Sequence, residues 1–380
     1  MNMAYERLEY MSISQDPRED GSPMINKRIG DAGAEHPDVL PETPETEEVE
    51  RQGFSLAKAL RSPRTLISFA LAIAIVVFAV RGFDIDVQQT WQYIRGANGW
   101  FLLAGFVIFY LTFPLRALRW RMLLENAHVP VREGRKSWAS LPALMEYIYL
   151  SWFANCVVPA KLGDAYRGYL LKQNGQVSFS ATFGTIFAER LLDMLGLFGL
   201  LVLSAWFTFG AQMPESTRIV FGFGALLVMA IVSGLAGMRW LSPVIQRFIP
   251  KRLISVYGNF EHAALRSFRP SILPRLIVLT SCVWLLEGMR LYFVIQALSH
   301  EGLALPLSAI IFIALASSLL TAVPFTPAGL GVVETVITGV LTFFKVGTSL
   351  GGAVTILDRV INFWSIVVIG FVLYLVSKRR

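Results

Sequence analysis

Cysteine and histidine are scarce in this sequence. Its 380 residues include two cysteines, Cys156 and Cys282, and four histidines. Both cysteines lie in apolar segments, and no histidine lies at metal-ligand spacing from a cysteine or a carboxylate, so we expect neither a disulfide framework nor a metal site. The P-loop, G-x-S-x-G, H-E-x-x-H and dinucleotide-binding motifs are also absent. We therefore expect no cofactor and no enzymatic activity.

Charged residues are scarce as well. They make up 16% of the chain, whereas an average soluble domain has about 25%. Hydrophobic residues make up 54%, and long, almost uncharged apolar runs recur between Thr65 and Val376. This composition excludes a soluble, disordered or fibrous protein, and the scattered basic residues form no nucleic-acid-binding face. We predict an all-α polytopic membrane protein.

The N-terminal region differs from the rest. Residues 1–51 contain 13 acidic and 5 basic residues, a net charge of −8, whereas the remainder sums to +15. This region is rich in proline and glycine, has no hydrophobic period, and lacks the basic-then-apolar start of a signal peptide. We assign residues 1–55 to a disordered acidic cytoplasmic tail and 56–380 to a membrane domain. The tail is either a solvated extension or a docking arm for the basic inner surface.

Six apolar runs are long enough to cross a bilayer, and two further stretches are interrupted. The six predicted spans are 65–80, 99–115, 185–209, 219–237, 276–298 and 355–376. The interrupted stretches are 140–158 and the pair 307–323 and 329–344.

Lysine and arginine predict the orientation. They cluster before the first span, after the second (from Arg116 onward), after Gly237 and at the C-terminus, whereas loops 81–98, 210–218 and 299–306 contain two, one and none. We therefore predict a multi-pass protein of the cytoplasmic membrane with both termini in the cytoplasm.

This orientation makes 140–158 a re-entrant hairpin. A full crossing there would invert every later loop, so the segment should enter from the cytoplasm, turn near Pro159 and return. Irregular backbone at membrane depth needs surrounding protein or water, so a hairpin implies a polar cavity. The alternative is a full crossing with an additional span within 178–193.

Three features occur twice in the same order. They are a span with arginine near one end, a Val-Pro turn followed by glycine, and an acid–arginine pair that opens a long span. The first set is Arg116 with Arg119, Pro159 with Gly163, and Glu189-Arg190-x-x-Asp193; the second is Glu287 with Arg290, Pro324 with Gly329, and Asp358-Arg359-x-x-Asn362. The predicted topology gives the sets opposite orientations, which is typical of an inverted repeat with a ligand site near the bilayer midplane. The repeats are about 64–210 and 217–380.

Charged residues within apolar spans are the candidate site. Each costs about 2.5–3.5 kcal/mol at the centre of a span, so they must face one another or water. Arginine suits phosphate, and the acidic residues would hold the arginines. Gly163–Asp164 and 329–331 would offer backbone N–H groups to an anion. The candidates are Arg116, Arg119, Lys161, Asp164, Arg167, Glu189, Arg190, Asp193, Glu287, Arg290, Glu334, Asp358, Arg359 and Asn362. Alternatively, the charges are structural ion pairs and Asp164 is a helix N-cap.

These motifs resemble the transmembrane family of lysylphosphatidylglycerol synthases, also called the flippase-like membrane domain family. The resemblance rests on the stretches that begin at Pro159, Glu189, Pro324 and Asp358 and covers roughly 66–375. It implies a lipid-translocating membrane domain, and it implies roles for Arg167, Glu189, Arg190, Glu334 and Arg359. The sequence departs from the family at Asp164, where glutamate is common, and at Ala328, where glycine is frequent. Because no soluble synthase domain follows Arg380, we do not expect aminoacyl transfer.

Three hypotheses follow. In the first, the protein is a flippase that moves an anionic, aminoacylated or lipid-linked-sugar lipid between leaflets. In the second, it is a membrane subunit that presents a lipid carrier to a separate synthase or glycosyltransferase. The third and weakest is an integral enzyme acting on a lipid phosphate.

Overall fold

The computed structural model of the protein describes residues 63–129, 138–158, 162–210, 215–250, 253–298, 305–320 and 327–379. The acidic tail and Lys161 lie outside these ranges, so the predictions for them remain predictions. Within the ranges the regular structure is helical and contains no strand. The helices are α1 Pro63–Gly82, α2 Val87–Gly96, α3 Gly99–Asn126, α4 Leu141–Val157, α5 Leu162–Gly175, α6 Phe179–Phe209, α7 Glu215–Phe248, α8 Ile254–Arg266, α9 Leu273–Ala297, α10 Leu307–Leu320, α11 Val332–Phe343, α12 Thr348–Arg359 and α13 Ser365–Val376.

The protein is an all-α polytopic membrane protein, as predicted. Four helical segments are long and apolar enough to cross a bilayer: α3, α6, α9 and the continuous stretch Thr348–Val376. Shorter apolar segments lie within α1, α7, α10 and α11. Large apolar side chains such as Phe78, Phe207 and Val376 are exposed on the outside of the helices. A surface of this kind suits lipid rather than water.

Helix α3 is longer than the predicted span 99–115. It runs 28 residues to Asn126 and continues through Pro114. Arg116 and Arg119 therefore lie inside the helix, where they are buried, and not in a basic loop after it. The predicted boundary was wrong because two buried arginines end the apolar run. In this region the predicted orientation of the chain therefore rests only on the basic residues that follow Arg119.

The first interrupted stretch forms two packed helices, α4 and α5. Gly163, at the start of α5, lies against the last turns of α4 and donates its N–H to Asn155 Oδ1 at 2.9 Å. A Cβ at Gly163 would lie 2.0 Å from the Ser151 carbonyl oxygen, so only glycine fits this contact. The chain therefore reverses between the helices, as predicted, although the turn itself lies outside the described residues. With 17 and 14 residues, or about 25 and 21 Å, both helices are short for a crossing.

The second interrupted stretch also forms two packed helices, α10 and α11. Residues 321–326 lie outside the described ranges, and a 3₁₀ turn, Pro327–Gly329, leads into α11. Ala328 has φ 46° and Gly331 has φ 87°, both in the left-handed region. Gly331 also lies against α1, where a Cβ would approach Ile75 Cβ to 2.7 Å. Gly329 has φ 70° as well, so the conformation that glycine adopts easily is required three times in this short connection.

Helix α6 decides against the alternative topology. It is one uninterrupted helix of 31 residues that begins at Phe179. Residues 178–193 therefore do not form an additional span, and that alternative is wrong. The acidic and basic residues of this segment lie in the same helix as the apolar run that follows.

Two helices outside the predicted spans complete the fold. Helix α8 comes from a basic stretch and packs on α6, where Gly184 allows close contact with the Phe260 carbonyl. Helix α2 begins at the N-cap Asp86 and joins α12 through the Thr90 hydroxyl, which donates to the Ser349 carbonyl at 3.1 Å. Both helices are short, and their sequences lack a long apolar run.

Candidate functional site

The buried charged residues of the described ranges form one set, which belongs to the helices that carry the candidate site. Nine charged residues in the described ranges are buried, and all nine are among the candidates predicted from the sequence. They are Arg116, Arg119, Arg167, Glu189, Asp193, Glu287, Arg290, Asp358 and Arg359. Asp164, Arg190, Glu334 and Asn362 are partly buried beside them. Charges buried to this degree must be paired, and the pairs fall into two clusters and a bridge.

The centre of the first cluster is Arg119 of α3. Its guanidinium donates to Asp193 Oδ1 at 2.6 Å, to Glu189 Oε1 at 3.0 Å and to the Thr280 hydroxyl at 2.8 Å. The two carboxylates lie four residues apart on α6 and therefore on one face of it. Arg119 consequently ties three helices together: α3, α6 and α9.

The half-helix α5 adds two more ion pairs to this cluster. Arg167 donates to Glu189 Oε2 at 2.8 Å, and its guanidinium lies 4.5 Å from the centroid of the Trp120 ring. Asp164 accepts two hydrogen bonds from Arg190, at 2.8 and 2.5 Å. The carboxylate of Asp164 is therefore occupied by an arginine, and its interpretation as a helix N-cap is wrong.

The second cluster joins α9, α11 and α12. Arg290 lies 3.3 Å from Asp358 Oδ1, and the second oxygen of Asp358 accepts from Asn362 at 2.8 Å. Arg359 donates to Glu334 Oε1 at 2.8 Å and to the Gly329 carbonyl at 3.3 Å. A π-helical turn, Val360–Trp364, follows Arg359 directly and includes Asn362. Such single π turns often occur at functional sites.

The two clusters have the same construction. The pair Asp164–Arg190 spans 26 residues of sequence and the pair Glu334–Arg359 spans 25. In each pair, the acid belongs to the short helix that follows a break, α5 or α11. The arginine belongs to the next helix along the chain, α6 or α12. The pairs Arg119–Glu189 and Arg290–Asp358 correspond in the same way. These contacts support the internal repeat in three dimensions.

Each half of the site is electrically neutral, although the halves differ in composition. Asp193 in the first repeat corresponds to the uncharged Asn362 in the second. The additional negative charge is matched by Arg167, whose counterpart in the second repeat is Ile337. The first cluster therefore contains three arginines and three acids, and the second contains two of each.

Arg116 and Glu287 form the bridge between the clusters. Arg116 Nη2 donates to Glu287 Oε1 at 3.2 Å, and both side chains are almost fully buried. Two tryptophans flank the guanidinium, with the centroid of Trp152 at 4.7 Å and that of Trp284 at 6.0 Å. Glu287 also lies 3.5 Å from Arg290 Nε, so the bridge continues into the second cluster.

A cavity of about 200 Å³ lies between the clusters. Residues from both helix breaks line it: Asn155, Cys156 and Val158 from the end of α4, and Ala328 and Gly329 from the 3₁₀ turn. Its charged lining residues are Arg116, Arg190, Arg290, Arg359, Asp193 and Glu287. The predicted juxtaposition of the two interrupted stretches at one polar chamber is therefore present in the described residues.

The candidates have different positions relative to this cavity. Four arginines line it, whereas Arg119 and Arg167 lie behind the wall with at most 1% of their surface exposed. We interpret these two as structural ion pairs and the four as the ligand-facing set. The ion-pair alternative fits Arg119 and Arg167, and the ligand-binding role of the four cavity arginines stays a prediction. Glu146, also inside an apolar run, pairs with Arg379 at 2.5 Å and does not line the cavity.

Two of the backbone N–H groups expected to bind an anion are already occupied. Gly163 donates its N–H to Asn155 Oδ1, and Gly331 donates to Glu334 Oε2 at 2.6 Å. The expectation is therefore wrong for Gly163 and Gly331, because nearby side chains cap these helix starts. Recognition of a ligand in the cavity consequently falls to side chains.

Sequence reasoning did not identify four residues that complete the site. Trp152 and Trp284 contact Arg116, Thr280 holds Arg119, and Asn155 caps Gly163. Trp152 lies within the interrupted stretch 140–158. This position was the signal in the sequence that could have placed Trp152 at the site. The described residues contain no group of three His, Cys, Asp or Glu side chains arranged to hold a metal ion.

A second, apolar cavity of about 440 Å³ lies between α6 and α9. Leu195, Leu203 and Ile277 line it, together with Gly196 and Gly199. Leu203 and Ile277 are half exposed, so the groove opens on the lipid-facing side. The groove also contains Thr280, whose hydroxyl accepts from Arg119, and Arg119 binds Asp193 of the charged cavity. The groove and the cavity therefore share a wall.

Comparison with known proteins gives one family and several relatives. The family described as lysylphosphatidylglycerol synthase TM region matches residues 65–370. A UPF0104 membrane protein of Methanocaldococcus jannaschii is 37% identical over 60% of this chain and 95% of its own length. One from Methanothermobacter thermautotrophicus is 25% identical over 81% and 92%. Glycosyltransferase AglD of Haloferax volcanii is 27% identical over 36% of this chain and 21% of its own length. No solved structure matches significantly.

Proposed function

Because the chain belongs to the lysylphosphatidylglycerol synthase transmembrane family, we propose that it moves a lipid between membrane leaflets through the charged cavity. The lipid is anionic, aminoacylated or a lipid-linked sugar. The observation that carries the proposal is the cavity wall, in which arginines from both repeats converge. Placing four guanidinium groups around one space in an apolar protein is costly, and an anionic head group offsets that cost.

The size of the cavity suits a head group and not a whole lipid. Its volume of about 200 Å³ corresponds to about six or seven water molecules. The hydrocarbon chains therefore stay outside it. The groove between α6 and α9 provides an apolar path for one chain, and its shared wall with the cavity keeps the chain near the head group.

We propose that both termini face the cytoplasm and that the protein resides in the cytoplasmic membrane. The basic residues beyond α3 and α7 support this orientation. The test is labelling of single cysteines introduced at 212 and at 251, in a variant without Cys156 and Cys282. A membrane-impermeant reagent applied from outside should label only position 212. Labelling of position 251 from outside would contradict the orientation.

We propose that the protein acts without covalent chemistry. The carboxylates that line the cavity, Asp193 and Glu287, are both engaged by arginines, so neither is free to act as a general base. Incubation of the purified protein with a lipid phosphate should return the lipid unchanged by mass spectrometry. Conversion of that lipid by the protein alone would reject this part of the proposal.

Reconstitution tests the main proposal. Purified protein in vesicles should accelerate the exchange of a head-group-labelled phospholipid between leaflets, read by quenching of the outer label. A double variant, Glu334→Gln with Arg359→Gln, removes one cavity arginine together with its buried partner, leaves no lone charge and should abolish the acceleration. The matched control is Arg121→Gln with Glu125→Gln, which removes an exposed pair of α3 and should leave exchange unchanged. Equal activity of the two double variants would refute the role of the cavity.

A second candidate function is presentation of a lipid carrier to a separate synthase or glycosyltransferase. The observation that favours it is the partial similarity to a protein named as a glycosyltransferase. The acidic N-terminal region, with its net charge of −8, would be the contact with such a partner. Co-purification with a synthase, lost on deletion of residues 1–50, would support this function. A protein that exchanges lipid alone and binds no such enzyme would exclude it.

A further inference from the structure

Two arginines of the cavity retain unused hydrogen-bond donors, as Arg119 and Arg167 behind the wall also do at Nε. Nε and Nη1 of Arg290 and Nε of Arg116 are buried and have no hydrogen-bond partner. Both residues line the cavity and are at most 5% exposed. A buried guanidinium with donors to spare is incomplete, because each unsatisfied polar group carries a desolvation cost. The missing partner must supply acceptor oxygens.

The acceptors of the cavity wall are almost all used. Asp193 is held by Arg119 and Arg190, and Glu287 is held by Arg116. The unpartnered acceptor on a lining residue is Oδ1 of Asn362, which is an uncharged amide oxygen. An uncharged acceptor suits a hydroxyl group of a ligand. It does not neutralise an ammonium group.

The charge facing the cavity is positive. Four arginines and two acids line the wall, giving a net charge of +2. Behind the wall lie four acids and two arginines whose net charge of −2 balances it: Asp164, Glu189, Glu334 and Asp358 with Arg119 and Arg167. A ligand in the cavity therefore lies nearer to the cations than to the balancing anions, which favours an anion and disfavours a cation.

We propose that the cavity selects a lipid whose head group is a phosphate bearing uncharged hydroxyl groups, and that it rejects an aminoacylated head group. This inference rests on the proposed function and chooses among its three lipid classes. The phosphate oxygens accept from the unused donors of Arg290 and Arg116. The Asn362 amide oxygen accepts from a glycerol or sugar hydroxyl. The ammonium of an aminoacyl group would meet a wall in which four guanidinium groups outnumber two carboxylates that arginines already engage.

The test compares two lipids of opposite net charge. Phosphatidylcholine vesicles containing the protein receive a trace of labelled phosphatidylglycerol or of labelled lysylphosphatidylglycerol. We expect phosphatidylglycerol to exchange at least about tenfold faster, since one unfavourable charge near the wall is worth roughly that factor. Equal or faster exchange of the lysylated lipid overturns the head-group proposal and leaves the proposed function intact.

A measurement of lipid binding tests the head-group inference independently of lipid transport. If neither lipid exchanges, the proposed function fails, and thermal unfolding in detergent decides the head-group inference alone. Phosphatidylglycerol should then raise the unfolding temperature more than lysylphosphatidylglycerol does. A larger effect of the lysylated lipid, or an effect of inorganic phosphate without any effect of phosphatidylglycerol, overturns it.

A matched pair of variants tests whether the charge of the cavity wall determines which lipid is selected. Met194 lines the cavity and carries no charge. Met194→Glu adds a carboxylate to the wall, and Met194→Gln adds a neutral group of the same shape. We expect the glutamate variant to bind or exchange phosphatidylglycerol about tenfold less well than the glutamine variant. Equal behaviour of the two variants toward this lipid overturns the inference.

Discussion

Arg116 and Glu287 occupy equivalent positions in the two halves of the protein and bind each other at 3.2 Å. Each lies three residues before the arginine that anchors its own cluster, Arg119 in one half and Arg290 in the other. Opposite charges at these equivalent positions therefore join the two halves directly.

The contributions of Arg116 and Glu287 to the free energy of unfolding should be strongly coupled. Breaking a buried ion pair by removing one partner costs about 3–5 kcal/mol, whereas removing both charges costs less. We expect Arg116→Gln and Glu287→Gln each to lower the free energy of unfolding by about 3 kcal/mol. The double variant should lose clearly less than the sum. Thermal unfolding in detergent measures all three, and an additive double variant would show that the pair does not join the halves.

Replacement of Ala328 by glycine should stabilise the protein. Its φ of 46° lies in the left-handed region, which costs an alanine about 1–2 kcal/mol and a glycine almost nothing. We expect Ala328→Gly to raise the free energy of unfolding by about 1 kcal/mol. The control is Ala74→Gly, an exposed position within α1, which should lower it by a similar amount. Stabilisation by both changes would argue against backbone conformation as the cause.

Gly163 should tolerate no side chain. A Cβ there would lie 2.0 Å from the backbone oxygen of Ser151, so α5 would be forced away from α4. We expect Gly163→Ala to reduce the yield of folded protein severely and to disturb the Asp164–Arg190 pair. Gly199→Ala is the control, because nothing lies within 4 Å of a Cβ at that position. Size-exclusion chromatography of the two variants gives the comparison.

The groove between α6 and α9 offers a separate test of the proposed hydrocarbon path. Gly199 lines the groove and faces open space, so Gly199→Phe would fill it without a clash at Cβ. We expect this variant to fold normally and to exchange lipid several-fold more slowly. Phe substituted for Leu111, an exposed residue of α3 outside the groove, is the control. A normal exchange rate in Gly199→Phe would remove the groove from the proposed mechanism.

The charged residues of the site were predictable from the sequence for a simple reason. A charge within an apolar run is so costly that it signals a protein-lined or wet environment wherever it occurs. Glu189, Asp358 and Arg359 could therefore be identified singly. The helical class, the four long spans and the two helix breaks could be predicted because each depends on a run of neighbouring residues.

The partners of those residues could not be predicted. Arg119 binds Thr280 across 161 residues and Arg116 binds Glu287 across 171. No local period in the sequence encodes a contact of that range. Two pairs that lie three residues apart on one helix, Glu287–Arg290 and Arg190–Asp193, have distances of 3.5 and 3.6 Å. They are longer than the contacts to other helices, because helix packing places better-aligned partners nearby.

The π turn at Val360–Trp364 sets the rotation of the last helix about its own axis. Beyond it, Gly370 faces Phe153 so closely that a Cβ would lie 2.6 Å from Phe153 Cβ. The π turn takes one more residue per turn than an α-helix does, so ordinary α-helical winding of the same residues would rotate α13 by up to about 100° relative to Arg359. Gly370 would then leave its contact and a larger side chain would meet Phe153. The extra residue of this turn therefore keeps Gly370 of α13 against α4 while the ion pairs that precede it keep their positions.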